Sequence, residues 1–254
     1  MSASAKKLPW KHAIVVGGSS GIGAALAHRL SAGGVEVAIV SRREAELERL
    51  RSEIESKGGA RVVVRAHDVR NREEVPMLAQ EIARELGGLD AIFYVAGVMP
   101  KVGPDEYDTD KDAEIMEVNT LGAMAWLNEA AKRFEQIGSG TIVGVSSIAG
   151  DRGRRGNPAY CTSKAALTTY LEALRNRLSR HGVRVVTIKP GFVDTDMTRG
   201  APGLFWLIPP EQAAEEIIEA ALGGRMTVYV PGRWRAVGTI VKLIPSFIFR
   251  RLNV

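Results

Sequence analysis

The chain has 254 residues, 45% hydrophobic and 25% charged, which is long enough for a full core and balanced as a globular protein is, not as a disordered or fibrous one. Its one cysteine, Cys161, excludes an intramolecular disulfide and fits a reducing compartment, and four scattered histidines (His12, His28, His67, His181) lack metal-ligand spacing, so no metal site is expected. The net charge of +5 is unevenly placed: no acidic side chain follows Glu219, while Arg225, Arg233, Arg235, Lys242, Arg250 and Arg251 all do.

The N-terminal stretch MSASAKKLPW has no apolar segment of the kind a secretory signal carries. No run reaches the ~18 uncharged apolar residues of a spanning helix. The expectation is a cytoplasmic protein. The first β-branched run, AIVVG (13–17), is followed at once by helical IGAALAHRLSAGG. VEVAIV (35–40) precedes REAELERLRSEIESKGG, and RVVVRAHDV (61–69) precedes REEVPMLAQEIARELGG. LDAIFYVAG (89–97) leads to one long helical stretch around DAEIMEVNTLGAMAWLNEAAKRF. GTIVGVSS (140–147) leads to a helix opened by Pro158 and running to about Arg180. VRVVTIKPG (183–191), the helix EQAAEEIIEAAL and a seventh strand in MTVYVPG complete the series. Glycine pairs at 33–34, 58–59 and 87–88 close three of the helices.

Continuous apolar strands alternating with crossover helices predict a parallel sheet covered on both faces. No linker or internal repeat interrupts the pattern. The expected fold is therefore α/β, a single-domain Rossmann-type doubly wound parallel sheet of about seven strands spanning 1–254. Residues 192–209 read as a substrate loop, and 232–254 as a basic, apolar C-terminal segment.

The first strand runs into GGSSGIG, that is Gly17, Ser19, Ser20, Gly21, Ile22 and Gly23 in the pattern Gly-x-x-x-Gly-x-Gly, and a helix follows. Glycines there allow a tight turn and close approach to a pyrophosphate, while the helix N-terminus offers N–H groups and a positive dipole end. Such a turn in the first βα unit points to a dinucleotide. The second strand ends Val40-Ser41-Arg42-Arg43, with no acid before Glu44. A ribose 2′-hydroxyl calls for a carboxylate near this point and a 2′-phosphate for cations. Arg42 and Arg43 thus favour NADP(H) over NAD(H); the plainer alternative is a solvated helix start.

In PAYCTSKAAL, Tyr160 and Lys164 lie four residues apart and share one helix face just after Pro158. Taken alone, they could be chance surface neighbours. Ser147 ends the fifth strand, 13 residues earlier, and a parallel sheet brings strand C-termini and helix N-termini to one edge. Asn119 stands mid-helix in EVNTLGA, an unfavoured place for an unpaired amide. Cys161 reads as a small packing residue, with redox sensitivity as the lesser alternative.

Together GGSSGIG, Asp68-Val69, VAG, VNTLGA, SSIAG, YCTSK and PGFVDT resemble the short-chain dehydrogenase/reductase family over roughly residues 10–200. The resemblance implies Asn119, Ser147, Tyr160 and Lys164 as the catalytic residues. It implies Gly17, Gly21 and Gly23 as the phosphate turn, Asp68 and Val69 at the adenine, and Val193 and Thr195 at the carboxamide. Ala96, Gly97 and Pro190 complete the implied cofactor contacts. The chemistry is reduction of a ketone, or its reverse. Tyr160 is the implied general acid/base, Lys164⁺ drawing it toward phenolate and binding the nicotinamide ribose. Ser147 donates to the substrate oxygen, and Asn119 positions a water that links Lys164 to solvent. Two departures stand out: Val16 replaces the family's Thr before the glycines, and Tyr94-Val95 replaces Asn-Asn before Ala96-Gly97, so support for the sheet centre must come from elsewhere. The implied partners are a small carbonyl or alcohol substrate and further copies of the chain, as homodimer or homotetramer; no nucleic acid is expected. A non-catalytic NADP(H)-binding regulator or scaffold is the competing reading, which the intact Ser147, Tyr160 and Lys164 argue against.

The loop 192–209 carries Phe192, Met197, Leu204, Phe205, Trp206, Leu207 and Ile208, apolar enough for either a lipophilic substrate or a lid packed on its own core. Beyond it, Trp234, Val237, Val241, Ile244 and Ile248 follow a helical stripe flanked by basic residues and kinked at Pro245. This is either an interfacial helix at the inner face of a membrane or a helix packed on a partner or on its own core. IPSFIFRRL and SSIAGDRGRRGNPAYCTSK also carry a fainter resemblance to bacterial polyprenyl-phosphoryl keto-pentose reductases, which implies a lipid-linked substrate.

Overall fold

Residues 7–103, 105–200 and 203–252 are described by a computed structural model. The first six residues of the N-terminal stretch, two positions of the loop 192–209 and the last two residues of the C-terminal segment lie outside them.

The β-branched runs form β1 (His12–Val16), β2 (Glu36–Ser41), β3 (Val62–Ala66), β4 (Ala91–Tyr94), β5 (Gly140–Val145), β6 (Val183–Pro190) and β7 (Thr227–Val230). They make one seven-stranded sheet in the order β3-β2-β1-β4-β5-β6-β7, parallel at every pairing. The central strands are buried on both faces, which is why they read as unbroken apolar runs. The helices α1 (Gly21–Ala32), α2 (Glu44–Ser56) and α3 (Val75–Glu85) follow the first three strands. Each ends beside a glycine with positive φ: Gly34, Gly58 and Gly87. After β4 come α4 (Thr109–Met116) and α5 (Gly122–Ile137), then α6 (Pro158–Leu178), α7 (Pro210–Leu222), α8 (Trp234–Leu243) and the single turn α9 (Ser246–Phe249). Two cores result: α1, α2 and α7 pack on one sheet face, and α3, α5 and α6 on the other. Among the described residues no helix is long and apolar enough to cross a membrane.

Strand order reverses between β1 and β4, and a crevice opens beyond their C-terminal ends, the usual ligand position in such a sheet. Two elements depart from the sequence expectation. The long helix after β4 begins at the cap Asp108, whose carboxylate accepts from the N–H groups of Asp110 and Lys111, and is divided by one wide π-helical turn over Glu117–Leu121. The C-terminal stripe is split by Pro245. Trp234 is buried and Val237, Val241 and Ile244 half-buried toward the body, whereas Ile248 lies beyond the break and is exposed.

Candidate active site

The glycine turn after β1 closes only without side chains. A Cβ on Gly23 would lie 2.0 Å from the carbonyl oxygen of Gly17. Gly17 has φ +92°, and a Cβ there would meet the backbone N of Ala96 at 2.5 Å. The turn therefore sits directly on the β4 terminus. Arg43 reaches across it, donating to Ser19 Oγ at 2.8 Å and Ser20 Oγ at 2.6 Å. Arg42 stands 3.9 Å from Asp68, whose carboxyl is held below its usual range chiefly by a hydrogen bond from Arg70. These residues line one end of a cleft of about 820 Å³ together with Ile22, Val69, Ala96 and Gly97. A backbone cradle with cations at its rim is the donor set a dinucleotide phosphate fits.

The same cleft is lined by Ser147, Tyr160, Lys164, Pro190, Val193 and Thr195, the last of them packed against Gly21 of the glycine turn. Of the catalytic and cofactor-contact residues expected from the sequence, Gly23 and Asn119 alone do not line it, the one packed under Gly17 and the other buried behind the wall. Ser147 caps a short turn after β5, its Oγ accepting from Ala149 N–H at 3.0 Å. Asn157 caps α6, its side chain accepting from Tyr160 N–H at 3.0 Å, so the cap itself fixes where Tyr160 leaves the helix. Lys164 follows one turn later, and its Nζ donates to the Val145 carbonyl at the end of β5 at 3.0 Å.

Asn119 lies in the wide turn and is fully enclosed. Its Oδ1 accepts from Val98 N–H at 2.8 Å, and its Nδ2 donates to Val98 O and Ser163 Oγ, both at 3.0 Å. Both Asn119 Oδ1 and Lys164 Nζ lie 3.3 Å from where a Cβ on Gly97 would stand, so Gly97 is where the two side chains converge. The missing side-chain amides of the VAG segment have a substitute in Tyr94. Its hydroxyl, inside the core, donates to Val118 O at 2.7 Å and ties β4 to the residue before Asn119.

The electrostatics depart from the sequence expectation. Burial pushes the Tyr160 phenol up to about 12, against the neighbouring Ser147 hydroxyl, which lowers it. Burial also pulls the Lys164 ammonium down to about 8. With Nζ 5.7 Å from the ring centroid, both groups share one dry environment, and desolvation outweighs the expected pull toward phenolate.

Arg154 also lines the cleft; burial raises the Cys161 thiol as it raises the Tyr160 phenol, and the Arg154 charge offsets only part of each rise. Its Nε is buried without a hydrogen-bond partner among the described residues. Nothing in the run DRGRRG marks this arginine from its neighbours. Phe192, Met197 and Leu204 of the loop 192–209 line the cleft, and Cys161 does as well. Val193 bridges Ile208, and Phe205 and Trp206 stack with Phe192 and Trp234 at centroid distances of 5.0 to 5.6 Å. Trp234 in turn covers Gly191, where a Cβ would meet its Nε1 at 2.0 Å. Among the described residues no group of three His, Cys, Asp or Glu could hold a metal ion.

Residues 11–202 match the family model described as short chain dehydrogenase. An uncharacterized oxidoreductase of Myxococcus xanthus is 33% identical over 96% of both chains. One from Staphylococcus saprophyticus is 31% identical over 84% of this chain and 89% of its own. The solved structure of a short-chain type dehydrogenase/reductase from Mycobacterium ulcerans superposes with a TM-score of 0.80 at 25% identity, covering 97% of this chain and 99% of that one.

Proposed function

The chain belongs to the short-chain dehydrogenase family of oxidoreductases, and from that premise we propose that it interconverts a ketone and a secondary alcohol with NADP(H). The observation that carries the reading is the single cleft that holds Ser147, Tyr160 and Lys164 at one end and a glycine turn rimmed by Arg42 and Arg43 at the other. Gly17, Ser19, Ser20, Gly21 and Ile22 would hold the pyrophosphate, with Gly23 letting the turn close beneath them, Arg42 and Arg43 the 2′-phosphate, and Asp68 and Val69 the adenine. Ala96, Gly97, Pro190, Val193 and Thr195 hold the nicotinamide half. When bound, the nicotinamide supplies or accepts a hydride.

The chain's own residues handle the oxygen. A substrate carbonyl between Ser147 and Tyr160 receives one hydrogen bond from the Ser147 hydroxyl, where negative charge develops during reduction. The Tyr160 phenol, neutral by virtue of its burial, is the proton donor to that oxygen. Lys164 holds the nicotinamide ribose and returns a proton to Tyr160, while Asn119 positions Lys164 and its link to solvent across Gly97. Phe192, Met197 and Leu204 make the substrate end apolar, which supports a lipophilic or lipid-linked carbonyl compound. A homodimer or homotetramer, the usual assembly in this family, accompanies the reading.

The test is NADPH oxidation over a panel of ketones, with Tyr160→Phe beside the parent chain. Turnover is expected with apolar ketones and is expected to vanish in the variant, NADPH affinity staying within a few-fold. Retained turnover in Tyr160→Phe, or none by the parent chain that binds NADPH tightly, refutes it.

A further inference from the structure

The inner side of α8 belongs to the body of the protein, since Trp234 and Gly238 are buried and Lys242 is drawn onto the buried carboxylate of Asp151 at 2.9 Å. The outer side, and α9 beyond it, have no such cover. Leu243 is 76% exposed, Ile240 62% and Phe247 61%. Beside them a cleft of about 510 Å³ is lined by Arg152, Arg155, Arg250 and Arg251, with no carboxylate among its described lining residues. Arg152 is engaged: it donates to main-chain carbonyls of Val241 and Ile244, and its guanidinium lies 4.1 Å over the Phe249 ring. Arg155, Arg250 and Arg251 are exposed.

Guanidinium groups gathered around one cleft repel one another until an anion lies between them, and their planar forks suit phosphate oxygens. Residues 220–252 contain no Asp or Glu to serve as that anion. A two-fold contact with a second copy through this face would bring the same arginines together, again without a carboxylate from this segment. Exposed aliphatic and aromatic groups beside a set of cations are what an interfacial helix presents to an anionic bilayer, where burial and charge act together.

We propose that α8, α9 and the arginine cleft dock on an anionic membrane surface, with lipid phosphates between Arg155, Arg250 and Arg251 and with Leu243 and Phe247 at the headgroup boundary. Of the three large aromatics in the C-terminal segment only Phe247 has this role, since Trp234 is buried and Phe249 lies under Arg152. Asp151 and Arg152, four and five residues after Ser147, join this surface to the turn that carries Ser147. The proposal uses residues outside the reacting groups, so it stands or falls separately from the carbonyl chemistry.

The full chain is sedimented with phosphatidylcholine vesicles and with vesicles that also contain phosphatidylglycerol, at low and high salt. Pelleting is expected with the anionic vesicles alone, and less of it at high salt. Arg250→Gln with Arg251→Gln is expected to lower partitioning roughly 30-fold, equivalent to about 2 kcal/mol. Leu243→Ser with Phe247→Ser, which changes no charge, is expected to lower it as well, each variant's melting temperature reporting its folding. A folded parent chain that stays in solution with anionic vesicles at low salt overturns the proposal. Stabilisation by inorganic phosphate without vesicle binding also overturns it, as that describes a small-anion pocket. A fall in molar mass of the arginine variant by light scattering, again without vesicle binding, overturns it in favour of a subunit interface. Should both variants unfold, the dependence of the parent chain on lipid charge and salt decides the matter.

Discussion

Replacing Asp151 by asparagine exchanges one carboxylate oxygen for an amide nitrogen in the most enclosed ion cluster of the protein. The Asp151 side chain has no exposed surface, and Lys189, which it pairs with, is only 4% exposed. Lys242 donates to the same carboxylate at 2.9 Å and the Tyr229 hydroxyl at 2.8 Å. The asparagine oxygen can still accept from one side of the cluster, but its amide nitrogen cannot, and Lys189 loses the counter-charge that made its burial tolerable. Removing one partner of a buried pair costs about 3–5 kcal/mol, which in a chain of this size lowers the melting temperature by roughly 10 °C. Lys242 is the internal control: its side chain is 46% exposed, so Lys242→Met leaves Asp151 paired with Lys189 and Tyr229 and costs about 1 kcal/mol or less. Replacing both members, as Asp151→Leu with Lys189→Met, removes the stranded charge and is expected to recover much of the loss. Burial raises the Asp151 carboxyl, but hydrogen bonds from Lys189, Lys242 and Tyr229 outweigh it and hold the group below its usual range. The cluster's stabilisation is thus fully present above about pH 4 and is lost as pH falls through the lower folded value. Urea unfolding at neutral pH and in acid measures each term, with an unchanged m-value as the condition for comparison. A loss under about 1 kcal/mol for Asp151→Asn, or a double variant no more stable than the single, refutes the argument.

Neutralising Arg42 and Arg43 together is expected to weaken NADPH by a few kcal/mol, since charge-assisted bonds are worth ~1.5–3 kcal/mol each, and NADH hardly at all; equal losses in titrations of the two would rule out their reading a 2′-phosphate. Tyr94→Phe removes the hydroxyl that satisfies Val118 O and is expected to cost ~1–3 kcal/mol of stability. Turnover should fall too, because Asn119 loses its support, and an unchanged unfolding midpoint would count against that role. Lys164 releases its proton near 8 when folded and near 10.5 when unfolded, so the unfolded chain binds more protons in between and stability from this group rises with pH across that window. Lys164→Met is expected to abolish that rise, and parallel pH–stability curves for the two chains would show that the ammonium is not desolvated.

What the sequence made legible has a common cause. Strand and helix periods, glycine closures and the helix start at Pro158 are local, and they lie where the spacing puts them. The glycine turn was legible because its constraint is a backbone clash that any side chain would cause, as the 2.0 Å approach at Gly23 makes plain. Contacts that depend on register and burial were not legible. The wide turn at Glu117–Leu121 breaks a sequence that reads as one helix, and the side chain it carries bonds to Val98 and Ser163, far away in the chain. The Tyr160–Lys164 spacing gave the distance to a charge but not the dryness around both groups, so the expected direction of the Tyr160 pKa was reversed. The C-terminal stripe was read with its correct period, yet Pro245 resets its phase and puts Ile248 outside.

The run Asp151-Arg152-Gly153-Arg154-Arg155-Gly156 shows why this division matters for function. Its three arginines are alike in sequence, and the fold divides them between two clefts, Arg152 and Arg155 at the outer one and Arg154 at the inner one. Arg152 clamps the carbonyl end of α8, Arg154 faces the cleft beside Tyr160, and Arg155 opens onto the outer arginine cleft. Asp151 in the same run is the buried anion that fixes the run's position against Lys189 and Lys242. The loop is pinned at one end by the ion cluster and at the other by the α6 cap, and its side chains face two sides. One face meets the reacting groups and the other meets the C-terminal surface. The proposed lipid surface and the proposed reacting groups thus meet through the same few residues, Asp151 and Arg152 standing four and five positions after Ser147.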